Sequence, residues 1–244
     1  MRHHRSLRRT VAVLAIASAA LAVPATATAT PTATGVAAAA QEAIAAAGTA
    51  TDVAGPADLL GLVDTANKGL EGLGLTPFFY PTGALNCSAL PGTPFGIVPA
   101  VAGAAPGPYA IPGLPTVPGV DTNLVGKGET LFAFVPAGVV NDAADKTGMQ
   151  VAWFNVNTFQ GGFADMGGVG ETLMGTLLAR VPAQFKAIAE GILAPVVNAI
   201  PSAGVRLAPV ETGSGTVLAA VFGQVTHDGQ TCAFLPTIGL TQVG

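Results

Sequence analysis

Between Gly72 and Val120 the chain runs for 49 residues without a single charge, and ten of those residues are proline. Few features constrain a fold more. Each proline removes a backbone donor and blocks a helix, so the stretch cannot be a helical membrane span despite its apolar content. The composition predicts an extended, polyproline-like segment wrapped on or across a folded domain, its carbonyls facing solvent or neighbouring chain.

The charges that do exist are unevenly placed. Four of the ten basic residues and two of the three histidines lie in the first nine positions, and no acidic residue precedes Glu42. A basic start, thirteen residues from Val11 to Val23 that are apolar but for Ser18, and small residues at Ala25-Thr26-Ala27 or Ala27-Thr28-Ala29 have the form of a secretory signal over residues 1–29. Thirteen residues fall short of the roughly 20 that span a bilayer. The chain beyond that signal retains six basic residues against fourteen acidic ones, a net charge of −8. Its basic residues are scattered, which argues against nucleic-acid binding and against docking on an anionic bilayer. Residues 30–54 read as an Ala/Thr-rich spacer carrying a marginal helix, and 55–244 as one globular domain.

Local patterns divide that domain. Pro56 and Asp58 suit a helix start, and Leu59, Leu62, Val63, Ala66, Leu70 and Leu73 keep helical spacing up to a stop near Gly72. Helices are also expected over 171–180 and from Pro182 to about residue 200, kinked or shortened at Pro195. Strands are expected at 130–135, 149–158, 205–210, 216–226 and 231–235, with Asp228-Gly229 as a tight hairpin turn. The glycines at 161–162 and 167–168 read as breaks in the chain. The fold class is therefore α+β: an antiparallel sheet from 129–158 and 205–240, covered by helices at 57–71 and 171–199, with the Pro/Gly-rich tract as an outer wrap. That layout supplies too few strands for a membrane pore. The two cysteines, Cys87 and Cys232, are expected to form a disulfide, since an exported chain matures in an oxidising compartment.

Chemistry is harder to find. Past the signal there is one histidine, His227, which beside Asp228-Gly229 reads as an exposed turn residue. None of Ser88, Ser202 and Ser214 lies in a nucleophile elbow. No metal site and no cofactor are expected: soft ligands do not cluster, and Asn141-Asp142 with Asp145 reads as a loop tip, not a calcium loop. Two groups are candidates for binding. Trp153, Asn155 and Asn157 alternate on one face of a strand, opposite Ala152, Phe154 and Val156, and could line a polar pocket mouth or mark the strand leaving the core. Phe78, Phe79 and Tyr80 form an aromatic cluster that could pack on the core, or insert into a lipid or a partner. The reading that follows is an exported protein, secreted or held at the cell envelope. It acts without catalysis by binding an envelope component or an apolar ligand. The competing reading is a secreted hydrolase using carboxylates, or a serine with His227.

Overall fold

The computed structural model describes residues 56–85, 87, 97–110, 121, 123–137, 142–198, 203–227 and 229–244. The expected signal and spacer lie outside them, as do 88–96 and 111–120 of the Pro-rich tract.

In chain order the elements are helix α1 (Pro56–Gly72), strands β1 (Thr76–Pro77), β2 (Thr82–Leu85), β3 (Val98–Pro106), β4 (Glu129–Pro136), β5 (Met149–Asn155) and β6 (Gln160–Gly168), and helix α2 (Val169–Ala179). A 3-10 turn (Ala183–Phe185) leads into helix α3 (Lys186–Asn198), and strands β7 (Arg206–Glu211), β8 (Gly215–His227) and β9 (Gln230–Val243) complete the order. The α+β class holds, with an antiparallel sheet and helices against it.

The sheet does not stay open. Following its hydrogen bonds gives β3-β2-β9-β8-β5-β6-β7-β4, and β4 then pairs with β3 along seven residue pairs, from Ala100↔Pro136 to Pro106↔Thr130. The ring has eight staves, every pairing antiparallel. The short β1 shares β3's edge with β2. An eight-stranded barrel is just wide enough to be filled by side chains, and this one is filled. Ala100, Ala102, Ala104, Phe132, Phe134, Met149, Val151, Met166, Val221 and Phe234 point inward and are buried together. Large rings on some staves face alanines on others, so the layers interdigitate.

Two expectations change here. Where the structure describes it, the uncharged tract is built into the sheet instead of lying outside as a wrap: it supplies β1, β2 and β3, and β3 is almost wholly buried. Its prolines sit where a ladder tolerates them, Pro99 at the second position and Pro106 at the last. The glycines at 161–162 and 167–168 are not breaks; they lie within β6. They are needed because side chains from neighbouring segments cross over them. A Cβ on Gly161 would stand 3.0 Å from the Phe154 ring, one on Gly162 3.4 Å from the Trp153 indole, and one on Gly168 2.8 Å from the Lys146 stem.

The outer surface of the barrel has two different flanks. Over β3, β4 and β7, the outward residues Val101, Ala105, Leu131, Ala133, Val135 and Leu207 are buried beneath Ala66 and Leu70 of α1, Leu173 of α2 and Val197 of α3. The spacing that predicted α1 thus aims its stripe at β3: a Cβ on Gly103 would meet Leu70 at 3.2 Å and the Thr76 carbonyl oxygen at 2.9 Å. Pro195 does not stop α3, which continues to Asn198. On the other flank, over β6, β5, β8 and β9, no described helix packs.

The expected disulfide is present. Cys87 and Cys232 are buried inside the barrel with their Cα atoms 5.3 Å apart, a separation typical of such bridges. Cys232 follows the tight β8–β9 turn, where His227 pairs with Gln230 and Gly229 takes a φ of 74°. A buried disulfide fits an oxidising, extracellular setting. Among the described residues no helix is long and apolar enough to cross a membrane.

Candidate functional site

The two barrel ends account for the polar residues that the sequence analysis singled out. At one end Asn155 is buried, and its amide is fully used within the chain. Nδ2 donates to the carbonyls of Thr212 (2.9 Å) and Ser214 (3.0 Å), while Oδ1 accepts from the backbone N–H groups of Asn157 (3.0 Å) and Thr158 (3.1 Å). Asn157 does the same for the N–H of Thr216 at 2.7 Å. These amides fasten two turns together over the barrel mouth. Trp153 points inward beside Gly162 and is half-buried against the core. The face read as polar therefore looks into the barrel, and the face read as apolar looks out.

The opposite end holds the charges. Arg206 is fully buried on β7, and its guanidinium is gripped on two sides by the Asp142 carboxylate: Nη1 to Oδ2 and Nη2 to Oδ1, both 2.8 Å. Lys146 donates to the same carboxylate at 2.7 Å. Burial alone would push the Asp142 carboxyl up, but Arg206 and Lys146 together hold it below its ordinary value. The loop-tip reading of the acidic knot is thus corrected for Asp142, which is buried, whereas Asp145 remains exposed and accepts from the Thr147 N–H. One signal for this was legible: Arg206 is the sole charge in the strand VRLAPV, and a charge carried into a core requires a partner.

His227 belongs to this end too. It is buried rather than exposed, because a bridge from Asp142 covers the β8 terminus. Ser214 precedes the other end of the same strand, roughly 40 Å away at about 3.3 Å per residue. Those two cannot meet, which removes one of the three serines as a partner; Ser88 and Ser202 lie outside the described residues. Among the described residues no three His, Cys, Asp or Glu side chains gather to hold a metal ion.

What remains is the bare flank. Register lines up its outward side chains in two rows. One runs Phe163, Ala152, Ala220, Ile238 across β6, β5, β8 and β9; the next runs Gly161, Phe154, Leu218, Leu240. Phe79 extends the first row, since its N–H donates to the Ile238 carbonyl. The aromatic cluster of the sequence is thereby divided: Phe78 is buried inside, with its ring lying where a side chain on Gly239 would sit, while Phe79 and Tyr80 are exposed outside. Neither row holds a charged or hydrogen-bonding side chain. Polar pairs mark the two edges: Gln150 Nε2 donates to Asp165 Oδ1 at 2.8 Å on one, and Thr216 meets Gln242 at 2.8 Å on the other.

The tip of the β5–β6 hairpin adds a further sign of use. Phe159 holds a φ of 58°, a region that bulky side chains avoid, and its ring is 79% exposed. It packs edge-on against Phe154, with ring centroids 6.3 Å apart. A strained backbone that presents a large apolar ring to water is a feature that gathers at binding sites. Sequence reasoning missed Phe159, Phe163, Leu218 and Leu240. It placed Phe154 on an apolar face without assigning that face to the inside or the outside. No family model, no curated protein and no solved structure matches this chain.

Proposed function

We propose that this is an exported, non-catalytic protein, secreted or held at the cell envelope, and that it acts by binding an apolar partner or ligand on the bare flank of its barrel. The observation that carries this reading is the flank itself. Phe163 is 73% exposed and Phe79 64% exposed, and both stand in uncharged rows that span the four staves. Scattered exposed apolar residues are ordinary; a contiguous set of them on one face marks an interaction surface. The barrel interior supports the same assignment by elimination, because it is packed with side chains of its own and its ends are closed by Asn155 and by the Arg206–Asp142 pair.

The test uses the mature chain and the neutral, environment-sensitive dye Nile red. At submicromolar protein, where the flank is open to solvent, saturable dye binding is expected, with at least a tenfold loss in a Phe154→Gln/Phe163→Gln/Leu240→Gln variant whose melting temperature is unchanged. Equal binding by the variant, or no binding by either protein, would remove the bare flank as the site.

A further inference from the structure

We infer that the occupant of the bare flank is a second copy of this chain, packed sheet against sheet. The inference rests on the reading of that flank as a binding surface and names its partner.

Three observations favour a second copy over other apolar occupants. The first is charge. The chain beyond its expected signal carries −8, so two copies repel each other over most of their surface. The two rows from Phe163 to Ile238 and from Phe154 to Leu240 are free of charge, so the copies can approach there without bringing like charges together. A lipid surface is a poorer fit: among the described residues no Lys or Arg lies in these rows to meet headgroups, and Asp165 stands on the rim.

The second is the polarity of the edges. An isologous pair places the same patch on both partners. The Gln150–Asp165 pair on β5 and β6 and the Thr216–Gln242 pair on β8 and β9 occupy diagonally opposite corners of the face. With the two-fold axis running obliquely across the strands, the Gln150–Asp165 corner of one copy meets the Thr216–Gln242 corner of the other. A carboxylate and an amide face a hydroxyl and an amide, so donors meet acceptors and the two Asp165 carboxylates lie at opposite ends.

The third is size. Five adjacent segments at about 4.8 Å spacing, counted over six residues at about 3.3 Å, make a face of roughly 450–500 Å². Two copies would bury up to about 1,000 Å², the lower end of what a specific interface needs and the size of a weak, reversible dimer. Sheets stacked in this way lie about 10 Å apart, which the rings of Phe154 and Phe163 can fill.

Sedimentation velocity on the mature chain from 1 to 100 μM tests this directly, with the Nile red titration run in parallel. A dimer is expected. Leu218→Glu, a change at the centre of the face on β8, should halve the mass while leaving the far-ultraviolet circular dichroism as it was and the melting temperature equal to that of the wild type at submicromolar concentration. Should Leu218→Glu aggregate, Ala220→Cys near the proposed axis decides: a bis-maleimide should link it to its counterpart in the wild-type background. No linked dimer overturns the inference. A dimer that survives Leu218→Glu also overturns it, since the contact would then lie elsewhere. So does a monomer at 100 μM. If that monomer still binds Nile red through the flank, or floats with phosphatidylcholine vesicles, the binding surface stands and only its partner is wrong. A monomer that binds neither takes both readings with it.

Discussion

The flank of β3, β4 and β7 and the flank of β6, β5, β8 and β9 are written in much the same residues. Strand β4 reads TLFAFV, and β8 reads TVLAAVF; both are near-continuous apolar runs. Such a run ordinarily means a strand buried on both faces. On the first flank it does. Leu131, Ala133 and Val135 point away from the barrel and are covered by α1, α2 and α3. On the second it does not. Leu218, Phe154 and Phe163 point away from the barrel into solvent. The difference teaches that apolar patterning specifies a demand for cover, not its source. One flank meets that demand within the chain, and the other leaves it to be met from outside.

The largest effect should come from the bond at the margin of the bare flank. The disulfide ties β9, on the bare side, to the chain just past its neighbour β2, across 145 residues of sequence. Chain entropy for a loop of that length amounts to about 5 kcal/mol. A Cys87→Ala/Cys232→Ala variant should lose up to that amount in urea unfolding. A loss under about 1 kcal/mol would mean that the β2–β9 pairing holds this margin of the barrel without it.

Next is the ion pair at the end of β7. Asp142→Asn leaves the Arg206 charge buried and uncompensated, at a cost of about 3–5 kcal/mol. The pH dependence has a definite sign. The Asp142 carboxyl is held low in the folded chain, so its contribution is complete above its unfolded value near pH 4 and is lost as pH falls through the lower folded value. Thermal melts between pH 2 and pH 6 should show a wild-type acid loss that the Asp142→Asn variant lacks.

The flanks themselves are compared by truncation. Leu173→Ala, beneath the helical cover, should cost about 2–5 kcal/mol. Leu240→Gln on the bare flank should change stability by no more than about 0.5 kcal/mol when measured at submicromolar concentration. Equal losses would erase the contrast and show that something already covers the second flank in the isolated protein.

Much of the molecule was legible from short-range patterns. The α1 stripe, the continuous runs of β4 and β8, and the Asp228-Gly229 turn all stood out because helical spacing, β-branched content and turn chemistry are local properties. Strand β3 was hidden by Pro99 and Pro106, which in isolation argue for coil. Strand β6 was hidden by glycines whose purpose appears only when Trp153 and Phe154 lie over them. Asn155 was visible as a polar residue on an apolar strand. Its role was not, since its partners Thr212 and Ser214 lie 57 and 59 residues away.

By itself, then, the sequence determined the antiparallel α+β class, the pairing of its two cysteines and the absence of a helical membrane span from its uncharged tract. Each of these follows from composition and local periodicity. Closure of the sheet into a barrel, the burial of Asp142 and His227, and the division of the outer surface into covered and bare flanks were decided only in three dimensions. They depend on pairings such as β3 with β4 and β6 with β7, and on which side of the ring the helices return to. Side-chain alternation along a strand separates one face from the other, but it does not say which face looks inward.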